Sequence, residues 1–101
     1  MDFIRAASVN DLKLGEKLGI VLDGKPVLLV NLGNEYYAMG GKCTHWGCML
    51  SDGKLDGSRI QCKCHGSTFE STTGELVKGP AKKPEPSYRV KIDNSEIYVE
   101  V

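Results

Sequence analysis

The sequence carries no net charge: thirteen Lys and Arg are matched by thirteen Asp and Glu over 101 residues. With that balance, nucleic acid or an anionic membrane is not suggested as a partner. A long apolar run is missing too. The longest, Val27-Leu28-Leu29-Val30, falls far short of the ~20 residues that span a bilayer. Met1-Asp2-Phe3-Ile4-Arg5 has neither the basic start nor the extended apolar stretch of a signal peptide. Internal repeats and low-complexity tracts are also absent. What remains is an ordinary globular composition, 41% hydrophobic, at a length that supports one domain with a modest core. The expectation is a single domain over 1–101, cytoplasmic, monomeric, with no membrane span.

Histidine and cysteine are scarce and concentrated. Both histidines and all four cysteines lie in two segments, Cys43-Thr44-His45-Trp46-Gly47-Cys48 and Cys62-Lys63-Cys64-His65-Gly66-Ser67. Sixteen residues separate His45 from Cys62. A C-x-H pair answered by a C-x-x-H pair offers two thiolates and two imidazoles from two loops, the donors for a metal centre with a sulfur-bound and a nitrogen-bound end. Cys48 and Cys64 are left over, in what look like matching places, one per loop. A structural Cys2His2 zinc site is the blander reading of this donor set. Zinc sites, however, usually space their cysteines by about two to four residues and their histidines by about three to five, whereas here each loop gives one of each.

The two segments resemble the Rieske iron–sulfur proteins, whose loops carry C-T-H-x-G-C and C-x-C-H-G-S. The resemblance implies one [2Fe-2S] cluster with two Cys on one iron and two His on the other. By position, Cys43 and Cys62 would hold the inner iron, and His45 and His65 the outer one. It also implies a Cys48–Cys64 disulfide, as in the high-potential branch of the family; two free thiols are the alternative. Gly79-Pro80-Ala81 is similar to the family's proline loop, which covers the cluster from a third side. Ser67 stands where the family's serine donates to a bridging sulfide; a strand-start residue bonding its own backbone is the plainer reading. Two residues on, where a tyrosine hydroxyl usually reaches a ligand sulfur, this chain has Phe69, and Lys63 replaces a frequent proline. Trp46 follows a ligand histidine and would shield the cluster or offer a docking surface; simple packing beneath the loops is the plainer reading.

Imidazole is a weaker, uncharged donor than thiolate, so histidine ligation raises the cluster's net charge and eases its reduction. The class accordingly lies at about −150 to +300 mV, against about −400 mV for all-Cys plant-type ferredoxins. Ser67 pushes the expected midpoint into the upper half of that range, and Phe69 withholds it from the top.

Around these loops the pattern is one of short strands and turn signals, which predicts an all-β sandwich or barrel. Phe3–Ala6 opens it, and Ser8–Leu12 suits one capped helical turn. Leu18–Leu22, Asp23-Gly24 and Pro26–Asn31 form a hairpin, Gly33-Asn34 turns into Glu35–Met39, and Tyr88, Val90 and Ile92 alternate inward before Ile97, Val99 and Val101. Between them, residues 40–81 hold eight of twelve glycines. A glycine-rich cluster-binding subdomain over about 40–82, inserted in a β base, is the expected organisation. Lys82–Pro86 is expected to be a stiff, exposed return to the base.

Residues 41–86 hold seven basic and five acidic side chains, so this part is net basic and the remainder net acidic by the same amount. The weak dipole would favour an acidic partner; scattered solvating charge is the plainer reading. The function expected is a non-enzymatic one-electron carrier between a reductase and a terminal oxidoreductase or oxygenase. The alternative is an electron-transfer subunit of a larger, for example quinol-linked, complex, although members of that kind usually carry an N-terminal membrane helix.

Overall fold

A computed structural model describes residues 3–33, 35–43, 47–64 and 66–101. Met1, Asp2, Asn34, Thr44, His45, Trp46 and His65 lie outside it, and with them the expectations placed on the two histidines and the tryptophan.

Among the described residues, ten strands form two antiparallel sheets. The larger contains β1 (Phe3–Ser8), β2 (Lys17–Leu22), β3 (Lys25–Asn31), β4 (Tyr36–Gly40), β9 (Ser87–Asp93) and β10 (Glu96–Glu100), in the order β1-β10-β9-β4-β3-β2. Its end strands β1 and β2 come back into contact, so the sheet curls towards a barrel. The smaller sheet runs β5 (Lys54–Asp56), β6 (Arg59–Gln61), β7 (Thr68–Glu70), β8 (Leu76–Lys78) in sequence order. Among the described residues no helix is long and apolar enough to cross a membrane.

β3 organises the interior. Val27 and Leu29 face one apolar cluster with Leu12, Ala38, Ile97 and Val99. Leu28 and Val30 face a second, with Met39, Leu50, Ile60 and Phe69. A strand buried on both faces needs an unbroken apolar run, because alternate side chains enter different cores. All four of its apolar residues are fully buried. The larger sheet thus has a core of its own, and β3 presents a second apolar face on which the loops between β4 and β9 pack.

Several local expectations hold. Asp23 and Gly24 turn the β2–β3 hairpin with φ of 51° and 75°. Ser8 caps the next turn, its hydroxyl accepting from Asn10 N–H while the Asp11 carboxylate accepts from Ser8 N–H, though the turn is a single 3-10 one over Val9–Asp11. Others need correction. Ile92 is 46% exposed, because β9 pairs with β4 only at Tyr88 and Ser87 and diverges beyond them, leaving that side chain uncovered. β5 and β8, three residues each, escaped the sequence reading.

Candidate metal centre

Two loops with one hydrogen-bond plan face the second core. In the first, Cys43 N–H donates to Cys48 O at 2.7 Å and Gly47 N–H to Cys43 O at 2.9 Å. In the second, Cys62 N–H donates to Ser67 O at 2.7 Å and Gly66 N–H to Cys62 O at 3.1 Å. A Lys42–Met49 bridge closes the base of one and the Gln61–Thr68 pair that of the other. Each bond in the second loop falls nineteen residues after its counterpart. Gly47 and Gly66 occupy the same turn position at φ 74° and 78°, where a Cβ would crowd the following carbonyl.

This equivalence pairs Cys43 with Cys62, the first residue of each loop. Both are only 3% exposed and both pack in the second apolar cluster, beside Leu50, Ile60 and Phe69. It also corrects the placing of the other two cysteines. Cys48 ends its loop, in register with Ser67, while Cys64 is the third residue of its own. They are nonetheless joined by a disulfide, with Cα atoms 6.5 Å apart. The bridge ties the end of one loop to the middle of the other. Cys62 Sγ, Cys48 Sγ and Cys64 Sγ all lie within 4.8 Å of one another. Two of those sulfurs are spent on the disulfide, so the trio is not a three-thiolate metal site.

A strap covers a third side. Gly79 and Pro80 are exposed and joined by a cis peptide, whereas Ala81 is buried and its N–H donates to Ser67 Oγ at 2.9 Å. Ser67 is itself fully buried. Having accepted that bond, its hydroxyl still has its own proton to donate. Further along, Glu85 N–H donates to Gly74 O and Gly40 N–H to Pro86 O, each at 2.8 Å. The return segment is therefore not uniformly exposed as expected: Glu85 is only 6% exposed, drawn inward by these backbone anchors. Tyr88 registers the change, its phenol held above the ordinary value by burial first and by the nearby Glu85 charge second.

Phe69, expected as a missing hydroxyl donor, is a fully buried member of the second core. Sequence reading missed the Ser67–Ala81 bond and the equivalence of the loops. The shared C-x-x-x-G spacing, Cys43 to Gly47 and Cys62 to Gly66, was the available signal for the second. The donor chemistry fits an iron–sulfur group: two thiols from equivalent loop positions, set in apolar surroundings, are soft ligands for iron.

A family model described as "Rieske [2Fe-2S] domain" matches residues 2–91. The ferredoxin component of the naphthalene 1,2-dioxygenase system of Pseudomonas putida is 32% identical over 99 residues, covering 98% of this chain and 95% of that protein. Among solved structures, the ferredoxin of carbazole 1,9a-dioxygenase from Nocardioides aromaticivorans IC177 superposes with a TM-score of 0.92 at 31% identity, covering 98% of this chain and 97% of its own. A ferredoxin chain from a complex of reduced oxygenase and oxidized ferredoxin in carbazole 1,9a-dioxygenase gives 0.90 at 30% identity, covering 96% and 91%.

Proposed function

The chain belongs to the Rieske [2Fe-2S] family, and we propose that it carries single electrons from a reductase to the terminal oxygenase of an aromatic-ring dioxygenase system. A Rieske domain is an electron-transfer module rather than a catalyst, and this chain holds one Rieske-type [2Fe-2S] cluster. When bound, the cluster takes up and releases one electron at a time.

Cys43 and Cys62 are the thiolate ligands in this reading, and His45 and His65, from the same two loops, the imidazole ligands. The observation that carries it is the common hydrogen-bond plan of the loops, which brings Cys43 and Cys62 to equivalent buried positions. The Cys48–Cys64 disulfide holds the loops together, and Ser67 keeps a hydroxyl proton for a sulfur acceptor. Residues 40–82 act as the cluster-binding part of a single domain over 1–101. Gly79 and Pro80 restrict water from the strap side, and the same part is assigned to Trp46, which follows His45 in the chain. The carrier works as a cytoplasmic monomer.

Metal and sulfide analysis, with pulsed EPR for nitrogen coupling, tests the ligand set. Two irons, two sulfides and two coupled nitrogens are expected; one zinc without sulfide would overturn it. His65→Ala should prevent stable assembly. His65→Cys, which replaces a neutral donor by an anionic one, should lower the potential of any cluster retained.

A further inference from the structure

Four lysines stand against the two loops. Lys42 lies beside Gly47: a Cβ at that glycine would meet the Lys42 Cε at 3.0 Å. Lys63 is exposed within the second loop, between Cys62 and Cys64. Lys78, also exposed, pairs across from Thr68, next to the loop's last residue. Lys82 is exposed and follows Ala81, which is bonded to Ser67. Among the described residues none of these four is in an ion pair. Arg5–Glu96, Arg59–Glu70 and Arg89–Glu100 do pair, on the larger sheet or across β6 and β7. Of the acidic groups near the collar, Asp56 shares a groove with Thr68, but Lys54 and Arg59 line that groove too. Asp52 shares a shallow groove with Lys63 without pairing, and Glu85 is turned inward beneath the strap.

From this we infer that the lysine collar is the docking surface of the carrier, and that it fits a redox partner whose electron entry or exit point is rimmed with carboxylates. The inference rests on the carrier function proposed above and names the chemistry of the partner's face. Charge placed at the electron port acts on encounter and orientation, even when the net charge is nil. Here the net charge is nil in the chain. Two ferric ions and two sulfides balance the two ligand thiolates, so the oxidised holoprotein stays neutral and the reduced form gains one negative charge. A globally neutral or slightly anionic protein would not attract anions; only the collar would.

The test uses the reduced holoprotein and two small oxidants, ferricyanide and tris(phenanthroline)cobalt(III), mixed by stopped flow at rising ionic strength. The ferricyanide rate should fall with salt and the cobalt rate should rise, since screening removes attraction in one case and repulsion in the other. Lys42→Glu and Lys63→Glu should each slow ferricyanide about fivefold or more at roughly 10 mM ionic strength. Lys13→Glu makes the same change in net charge at the opposite end of β3, since Pro26 at one end bonds Gly41 and Asn31 at the other bonds Leu12. It should slow ferricyanide no more than about twofold. Retention of each protein on a sulfopropyl cation exchanger gives a second readout, independent of electron transfer and of cluster loading. Lys42→Glu and Lys63→Glu should elute earlier than Lys13→Glu. A ferricyanide rate that rises with salt in the wild type, or equal effects of all three substitutions, overturns the inference. Failure of the carrier function is seen elsewhere, as no electron flow to a dioxygenase from its reductase, and leaves these small-ion rates unchanged.

Discussion

Ser67 Oγ accepts the backbone N–H of Ala81 at 2.9 Å, and the bond joins the second cysteine loop to the strap that covers it. Both residues are buried, so neither can exchange its partner for water. Ser67→Ala orphans the Ala81 amide and should destabilise the protein by about 1–3 kcal/mol in urea denaturation. It also removes the hydroxyl proton assigned to a cluster sulfur, so voltammetry should show a lower midpoint. A retained potential with lost stability would confine Ser67 to bracing the strap.

Phe69→Tyr tests the opposite change. A hydroxyl at this buried position, in the same apolar cluster as Cys43 and Cys62, should raise the midpoint by donating to a ligand sulfur. The wild type should lie in the upper half of the class range and short of about +300 mV. If the substitution lowers stability without moving the potential, the added hydroxyl has not reached a sulfur.

The four cysteines should divide cleanly on substitution. Cys48→Ser and Cys64→Ser remove the disulfide, lower stability by about 2–4 kcal/mol and still bind iron and sulfide. Cys43→Ser and Cys62→Ser should abolish binding. Iron and sulfide content after gel filtration separates the two classes, and equal loss in all four would refute the division.

Gly74 lies at φ 81°, buried under the strap, and a Cβ there would collide with the Glu85 carbonyl. Gly74→Ala should cost about 1–3 kcal/mol and loosen the strap. Hydrogen exchange should then quicken at Glu85, whose amide is bonded to Gly74 O.

Acid stability should depend on Glu70. Burial pushes its carboxyl up, but hydrogen bonds from Ser58 and Thr72 and the charge of Arg59 outweigh that and hold it below the ordinary value of 4.5. A carboxyl lowered in the folded state binds fewer protons there than in the unfolded chain. Its contribution is therefore complete above about pH 4.5 and is lost as pH falls through the folded value. Glu70→Gln should flatten that part of the stability–pH curve and leave the neutral region's slope unchanged.

The β framework was largely legible in the sequence, because long alternating strands and an Asp-Gly turn are local signals. Phe3–Ser8, the β2–β3 hairpin and Glu96–Glu100 follow from residues that are neighbours in the chain. The family and its cluster were legible from Cys43-Thr44-His45 and Cys62-Lys63-Cys64-His65, since residue type and spacing are properties of the chain itself. The tertiary structure decided what depends on residues far apart meeting. It showed the nineteen-residue equivalence of the loops, which is written in backbone hydrogen bonds within each loop and not in the side-chain types at matching places. It joined Cys48 to Cys64 from non-equivalent places, gave Ser67 the amide of Ala81, and turned Glu85 inward from a segment whose composition marks it as exposed. Ile92 was left outside for the same reason: burial belongs to whatever packs opposite a side chain, and β4 parts from β9 before reaching it.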